Sequence, residues 1–416
     1  MDPRTLQVFQ RYCTAVVRNT IKGGAALYVD LPKASDGWPV DDKVYDRFLD
    51  LVVDQSAFLG RIGWVRGLSG LTGNKLSHDI TGNILKRTNV SDTVQRQPTI
   101  TGGTSADPYT LLRAEWDWTL DYDKLAHWAK RGEAFLSTAV NTMIAKKLAS
   151  SMLLVGFVGT SDGNPPVAAG LTDFQVGWLQ LLREYAAGAN FMAEVVASSG
   201  IITVGPKRVL VFEGAAVDKG GGKVGFPITA HGRPAGAQIV INGTTNYDGA
   251  YLVDATSTAN EIVVTVAYVL ENVTGKTATH TPDYTSLDAL AADLRNSIEV
   301  ELRMGLSCIV SDDLRATEEE VVYGESGRTP TERLAHQRLM VEIAGMERLS
   351  PSLMPNGTLV VTPPDNLQIY VSEQQRRKVE DDPERNGVTF WNTGWWDYVI
   401  GDARKMKAAE NIVITL

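Results

Sequence analysis

Residues 122–161, YDKLAHWAKRGEAFLSTAVNTMIAKKLASSMLLVGFVGTS, decide how this chain is read. Tyr122, Leu125, Ala129, Leu136, Val140, Met143, Ile144, Leu148, Met152 and Val155 recur at spacings of three and four, which puts them on one side of a helix. At 1.5 Å per residue, a helix of roughly thirty residues spans about 45–50 Å. That is longer than most compact domains need, and Gly132 is its one weak point. A rod of this kind, preceded by a polar arm, predicts a part that meets neighbours rather than a self-contained globule.

The arm is residues 67–103, GLSGLTGNKLSHDITGNILKRTNVSDTVQRQPTITGG. It is rich in Gly, Thr, Asn and Ser, poor in large apolar residues, and cannot build a core of its own. After it, Leu112, Ala114, Trp116, Trp118, Leu120 and Tyr122 alternate with Arg113, Glu115, Asp117, Thr119 and Asp121. This period of two predicts a half-buried strand with both tryptophans on one face. The arm therefore goes out and returns along a strand.

Outward from this centre, residues 2–19 pattern as an amphipathic helix with Leu6, Phe9, Cys13 and Val16 or Val17 on one face. Residues 23–40 read as an extended connector. A second helix is expected over 42–59, with Val44, Phe48, Leu51 and Val52 inward and Asp41 as cap. Beyond the rod, FQVGWLQLLREYA (174–186) is helical in pattern. Residues 203–281 change to β-branched residues and turns: KRVLVFEG, FPITAHG, AQIVING, AYLVDAT and EIVVTVAYVL read as five short strands, with Asn242-Gly243 and Asp248-Gly249 as turns. Helical patterns resume at 286–304 and 330–344, and NLQIYVS and NIVITL read as closing strands. The β segment is thus a small module set into another domain.

Composition predicts a folded chain: 416 residues, 44% hydrophobic and 21% charged. No apolar run is long enough to span a bilayer. Asp2, Arg4, Arg11 and Arg18 interrupt residues 1–25, which do not read as a secretory signal. Cys13 and Cys308 lie far apart and have no metal or redox spacing. A net charge of −9 is the opposite of the balance a sequence-specific nucleic-acid binder carries.

The chemical motifs fail one by one. Gly220-Gly221-Gly222-Lys223-Val224-Gly225 matches G-x-G-x-x-G by letter, but Phe226-Pro227 follows where a helix is needed, so a hairpin loop is expected. Gly275-Lys276-Thr277 lacks the first glycine of a phosphate loop, because Leu270 holds that place. His78, His127, His231, His280 and His336 are scattered, with no ligand spacing. Glu318-Glu319-Glu320 and Glu380-Asp381-Asp382 read as solvated faces. Arg376-Arg377-Lys378 before the second run adds a switch of sign that suits ion pairs between subunits. Trp391, Trp395 and Trp396 read as a core aromatic cluster. No catalytic, cofactor or metal site is expected.

YDKLAHWAK, LLVGFVGTS and FQVGWLQLLREYA, then DYTSLDALAADLRNSI, PTERLAHQRLM and PNGTLVVTPPDNLQIYVSEQQRRKVEDDPERN, occur in this order. In this collinear set the chain resembles a major capsid protein of tailed bacteriophages, of the branch typified by phage P-two. The resemblance covers most of 40–205 and 282–400. It implies an α+β fold of the Hong Kong ninety-seven type. Its parts would be an N-terminal arm with helices (1–66), an extended hairpin loop (67–121), a peripheral domain with spine helix (122–170), an axial domain (171–365) and returning peripheral strands (366–416). An inserted β domain (204–281) has no counterpart in the typical member.

The implied function is a non-enzymatic shell subunit, assembled in the host cytoplasm into pentamers and hexamers of an icosahedral virion capsid. The implied partners are further copies, a portal, a scaffold or protease, a cement protein, and packaged double-stranded DNA without sequence-specific contact; no membrane is involved. Trp116 and Trp118 are the expected anchors of the arm on an adjacent copy, with Arg113, Arg376, Arg377 and Lys378 as further interface candidates. The alternative is a carbohydrate-binding or adhesin-type virion surface protein acting through the β segment. A hydrolase built from scattered His, Ser and Asp residues has little support.

Overall fold

The structure is a computed structural model that describes residues 38–39, 42–77, 105–121, 123–124, 133–163, 166, 168–192, 200–324, 341–382 and 386–415. The expected helix at 2–19, the Asp41 cap, the hairpin tip and most of the helix at 330–344 lie outside the described residues. The chain divides into two compact units. One takes the residues up to Ala149 and Gln368–Asp402; the other takes Ser150–Leu367 and Ala403–Leu416.

In the first unit, helix α1 (Asp42–Asp54) buries Tyr45, Leu49 and Val52, spaced by four and three. Of the expected face Val52 is deeply buried, while Phe48 and Leu51 are half-buried. The helix has a wide apolar arc, and the surface it packs on decides which part of that arc turns inward. Among the described residues this unit has a seven-stranded sheet. Its order is Trp38–Pro39, Arg376–Asp382, Gly387–Ile400, Leu367–Ser372 and Gly63–Leu68, and Leu112–Glu115 and Trp118–Asp121 also pair with the long strand Gly387–Ile400.

The strand expected at 112–122 is present with a two-residue interruption. Glu115 pairs with Thr393 and Trp118 with Phe390, so the register is unbroken across Trp116 and Asp117. Asn392 fills the gap: its amide nitrogen donates to Asp117 Oδ1 (2.8 Å) and its side-chain Nδ2 donates to the Trp116 carbonyl (3.0 Å). The outgoing arm begins as an antiparallel hairpin stem, Thr72–Ser77 with Ser105–Thr110.

The rod is helix α2, Glu133–Val158, with 26 residues, or about 39 Å. Residues 123–124 are also helical. The one-sided stripe holds only in part: Met143 is 50% exposed, whereas Met152, Leu153, Val155 and Phe157 are all buried. Near its end most of α2 is enclosed, with Ser151, Leu154 and Val158 half-buried along one side, and glycines permit the close packing. A Cβ on Gly156 would lie 2.4 Å from the Trp178 ring, and one on Gly177 would lie 2.4 Å from the Val155 carbonyl oxygen. The chain returns at that contact into α3 (Trp178–Glu184).

The second unit's main core lies between helix α4 (Leu287–Asn296) and a five-stranded sheet ordered Glu342–Ile343, Met346–Leu349, Ser307–Val310, Leu359–Thr362 and Lys407–Ala409. Ser286 caps α4 by accepting from the Ala289 amide (3.2 Å). Leu287, Leu290, Ala291 and Leu294 of α4 share the core with Cys308, Val310, Leu359 and Val361, and with Leu314 of α5 (Asp312–Gly324). Ile412–Ile414 pairs in parallel with Ile202–Val204. Of the strands expected to return over 366–416, the last two therefore belong to this second unit and not to the first.

The segment after Val204 builds a second core within this unit. Arg208–Val211, Thr277–His280, Gln238–Asn242 and Gly249–Leu252 form one sheet; Val217–Gly220, Lys223–Pro227 and Glu261–Thr265 form another. Phe212, Phe226, Ile239, Ile241, Tyr247, Ile262 and Val264 are buried together. Among the described residues there are seven strands where five were expected. Val217–Gly220 was missed because all four of its residues are exposed, and Thr277–His280 because its pattern was short. At the entry, the Thr203 amide and hydroxyl both donate to Asp283 Oδ2 at 2.8 Å.

Candidate interaction surface

The pleat of the long strand sorts its aromatic residues. Val388, Phe390, Trp396 and Tyr398 are buried; Trp391 is 37% exposed, and Thr393 and Trp395 are half-exposed. Adjacent strand residues point to opposite faces. Trp395 and Trp396 therefore cannot share a core, and the expected single aromatic cluster is split.

Trp116 and Trp118 fall on the inner side of this division. Trp118 stacks on Phe390 with centroids 3.8 Å apart, and Trp116 lies 5.6 Å from Trp396. Gly394 makes room for the Trp116 ring, since a Cβ there would come within 2.9 Å of it. Both rings pack on the chain's own sheet, and the outward aromatic residues are Trp391 and Trp395.

The outward face is built by register. Arg376 stands opposite Thr393 and Lys378 opposite Trp391 on one flank; Arg113 stands opposite Trp395 and Glu115 opposite Thr393 on the other. The result is a groove of about 570 Å³ with Trp391, Thr393 and Trp395 as its floor. Charges of both signs line its sides. Arg113 pairs with Glu115, and Lys378 with Glu380 (3.0 Å). The Arg376 guanidinium lies 5.8 Å from the Trp395 ring centroid. Burial pushes the Asp117 carboxyl above its usual range, against the hydrogen bond from Asn392. Arg377 also lines the groove, but it is opposite Asn392 and its Nε donates to that side chain's Oδ1 (2.8 Å). The structure thus brings Arg113, Arg376 and Lys378 together, turns the Arg377 Nε toward Asn392, and packs the half-buried Trp116 and Trp118 on the inner face of the sheet.

The dismissed motifs take structural roles. Gly220, Gly221 and Gly222 have φ of 75°, 63° and 75° and turn the hairpin between Val217–Gly220 and Lys223–Pro227. Lys276 leads from a turn into a strand. His231 and His280 are buried separately, with ring nitrogens 2.6 Å from the Thr258 carbonyl and 2.8 Å from the Gln238 carbonyl. Burial holds the His280 pKa below its ordinary value. Glu318 departs from the solvated reading: it meets Arg348 Nη1 at 2.9 Å, and the Arg348 side chain is 3% exposed. Among the described residues no three His, Cys, Asp or Glu side chains are grouped to hold a metal ion, and no helix is long and apolar enough to cross a membrane.

Comparison with known proteins bears on the family and the fold. A family model described as phage major capsid protein, P2 family, matches residues 22–212 and 254–412. The chain is 23% identical over 387 residues to a protein of Escherichia phage P2 described as capsid proteins, spanning 90% of this chain and 87% of that one. It is 21% identical over 374 residues to the major capsid protein of Serratia phage KSP20, spanning 87% and 85%. A chain of the satellite phage P4 procapsid, solved with its size determination protein, superposes with a TM-score of 0.62 at 21% identity, spanning 100% of this chain and 99% of that one.

Proposed function

This chain belongs to the P2 family of phage major capsid proteins, and from that premise we propose that its copies close into an icosahedral shell through two surfaces, the hairpin and the grooved outward face. It is a structural protein of the virion with an α+β fold of the Hong Kong ninety-seven type, and not an enzyme. The relatives named above are capsid proteins, and the adhesin alternative has no support among them.

The observation that carries the interface is the outward pair Trp391 and Trp395 amid charges of both signs. Aromatic residues supply contact area, and the charges fix register more than they add affinity. The sequence candidates are revised accordingly: Arg113, Arg376 and Lys378 remain, Trp391 and Trp395 replace Trp116 and Trp118, and Arg377 supports the sheet. The hairpin stem is the other half. The polar arm at 67–121 gains partners for its backbone groups on an adjacent copy, and heterologous contacts of this kind close into rings of five and six.

Residues 204–281 form an inserted outer module in this reading, supported by their separate core and by the family model's gap at 213–253. The remaining divisions are an arm at 1–66, a peripheral domain at 122–170 joined by the returning strands up to Asp402, and an axial domain at 171–365 that also takes the last two strands. Portal, scaffold or protease, and cement proteins are the expected partners, with assembly in the host cytoplasm. A net charge of −9 suits a container that holds DNA without gripping it. The test is electron microscopy of the full chain carrying Trp391→Ser and Trp395→Ser. The variant should fold and stay unassembled; closed particles at wild-type yield would remove the groove from the interface.

A further inference from the structure

The hairpin stem is rooted on the sheet by several contacts near its base. The Leu111 amide donates to the Leu71 carbonyl (2.7 Å), and the Thr110 amide donates to Asp397 Oδ2 (3.0 Å). Tyr109 meets Tyr370 edge-on at 5.1 Å and covers Gly73 across the stem, where a Cβ would lie 2.4 Å from its hydroxyl oxygen. One further contact lies beyond these. Lys75, opposite Asp107 in the stem register, reaches back to the end of the long strand, where Nζ donates to the Ile400 carbonyl (2.7 Å) and to the Gly401 carbonyl.

We propose that Lys75 is a strut, whose two hydrogen bonds to the Ile400 and Gly401 carbonyls set the direction in which the hairpin leaves the sheet and so aim it at a second copy. Of the contacts just named, it is the farthest from the root, so it resists tilting with the longest lever. Its geometry is that of a spacer: a four-carbon stem crosses from one element to the terminus of another, and the amine is satisfied by two backbone acceptors. Burial holds this amine below the usual lysine range, against the pull of Asp107 on the stem and Asp402 after the long strand. A half-buried amine held in this way is costly to leave without its acceptors, so the stem is tied to one direction. The proposal rests on reading the hairpin as the element that contacts a second copy.

The experiment compares four full-length chains: wild type, Lys75→Met, Lys75→Arg, and a chain whose tip (78–104) is replaced by a short Gly-Ser turn. Hydrogen exchange of the unassembled chains reads the strut directly, and particle yield by electron microscopy reads its consequence. Lys75→Met should leave the melting of the sheet unchanged, speed exchange of amides at 74–77 and 105–107 about ten-fold, and lower closed-particle yield about ten-fold. Lys75→Arg, which keeps a donor at that reach, should restore both. Stem exchange at the wild-type rate in Lys75→Met overturns the strut. So do closed particles at wild-type yield from Lys75→Met while the tip-deleted chain makes none. Closed particles from the tip-deleted chain overturn the inter-copy reading instead, and the exchange rates still decide the strut.

Discussion

Gly156→Ala opposes two effects of known sign. Alanine in place of glycine inside a helix is favourable by about 1 kcal/mol. Here the added Cβ would sit 2.4, 2.8 and 2.9 Å from three ring carbons of Trp178. The indole is fully buried, packs edge-on against Phe157 at 5.4 Å, and follows Gly177, whose own backbone is against the Val155 and Gly156 carbonyls. The ring has no free space to retreat into, and overpacking of this kind costs roughly 1–3 kcal/mol. The clash should win, for a net loss of up to about 2 kcal/mol. The assay is urea unfolding of the unassembled chain by circular dichroism, with Trp178→Leu and the double variant completing a cycle. Removing the ring removes the clash, so the coupling energy should be about 1 kcal/mol or more and favourable. Stability at or above wild type in Gly156→Ala, or additive single effects, would refute the reasoning and leave helix propensity in control.

Other outcomes follow from the same structure. Trp395→Ala should leave monomer stability within about 0.5 kcal/mol, because the ring is on the outward face, whereas Trp396→Ala should cost about 3–5 kcal/mol in the same melt. Arg348→Met removes the cation that faces Glu318 beside the main core of the second unit and should lower stability by roughly 3 kcal/mol, read by chemical denaturation. In the β module, hydrogen bonds from Lys223 and Thr256 hold Asp254 down to about 2, and Thr244 and Thr245 lower Asp248 and Glu271 in the same way. Folded pKa values below the unfolded ones give stability that is present above about pH 4 and lost as pH falls toward 2. Exchange protection in 204–281, taken against the intrinsic amide rate at each pH, should therefore fall through that window, and unchanged protection would remove these carboxylates from the account.

The elements themselves were legible in local pattern. The rod, the outgoing stem, the returning strand and the change to β structure after residue 203 all follow from periods of 3.6 and 2, which depend on neighbours in sequence alone. The rejection of phosphate-loop and dinucleotide motifs was equally local, because Phe226-Pro227 cannot start a helix. What the patterns left open was facing. The α1 arc was wide enough to turn either of two sides inward, and Met143 kept the helical spacing yet reached solvent. One local signal for the outward groove was present but unused: Trp395 and Trp396 are adjacent, and adjacent residues of a strand take opposite faces.

The sequence by itself determined where much of the chain is helical or extended and, by collinear motifs, which family it resembles. Only the tertiary structure decided which tryptophans are buried, that Arg376 and Lys378 share a face with Arg113 while Arg377 meets Asn392, and that Lys75 spans to Ile400 and Gly401. Arg377 and Asn392 meet within a local pair of strands, but the other outcomes depend on strand register between segments more than 250 residues apart, and pairing over that distance is set by packing and hydrogen bonding that no local window contains.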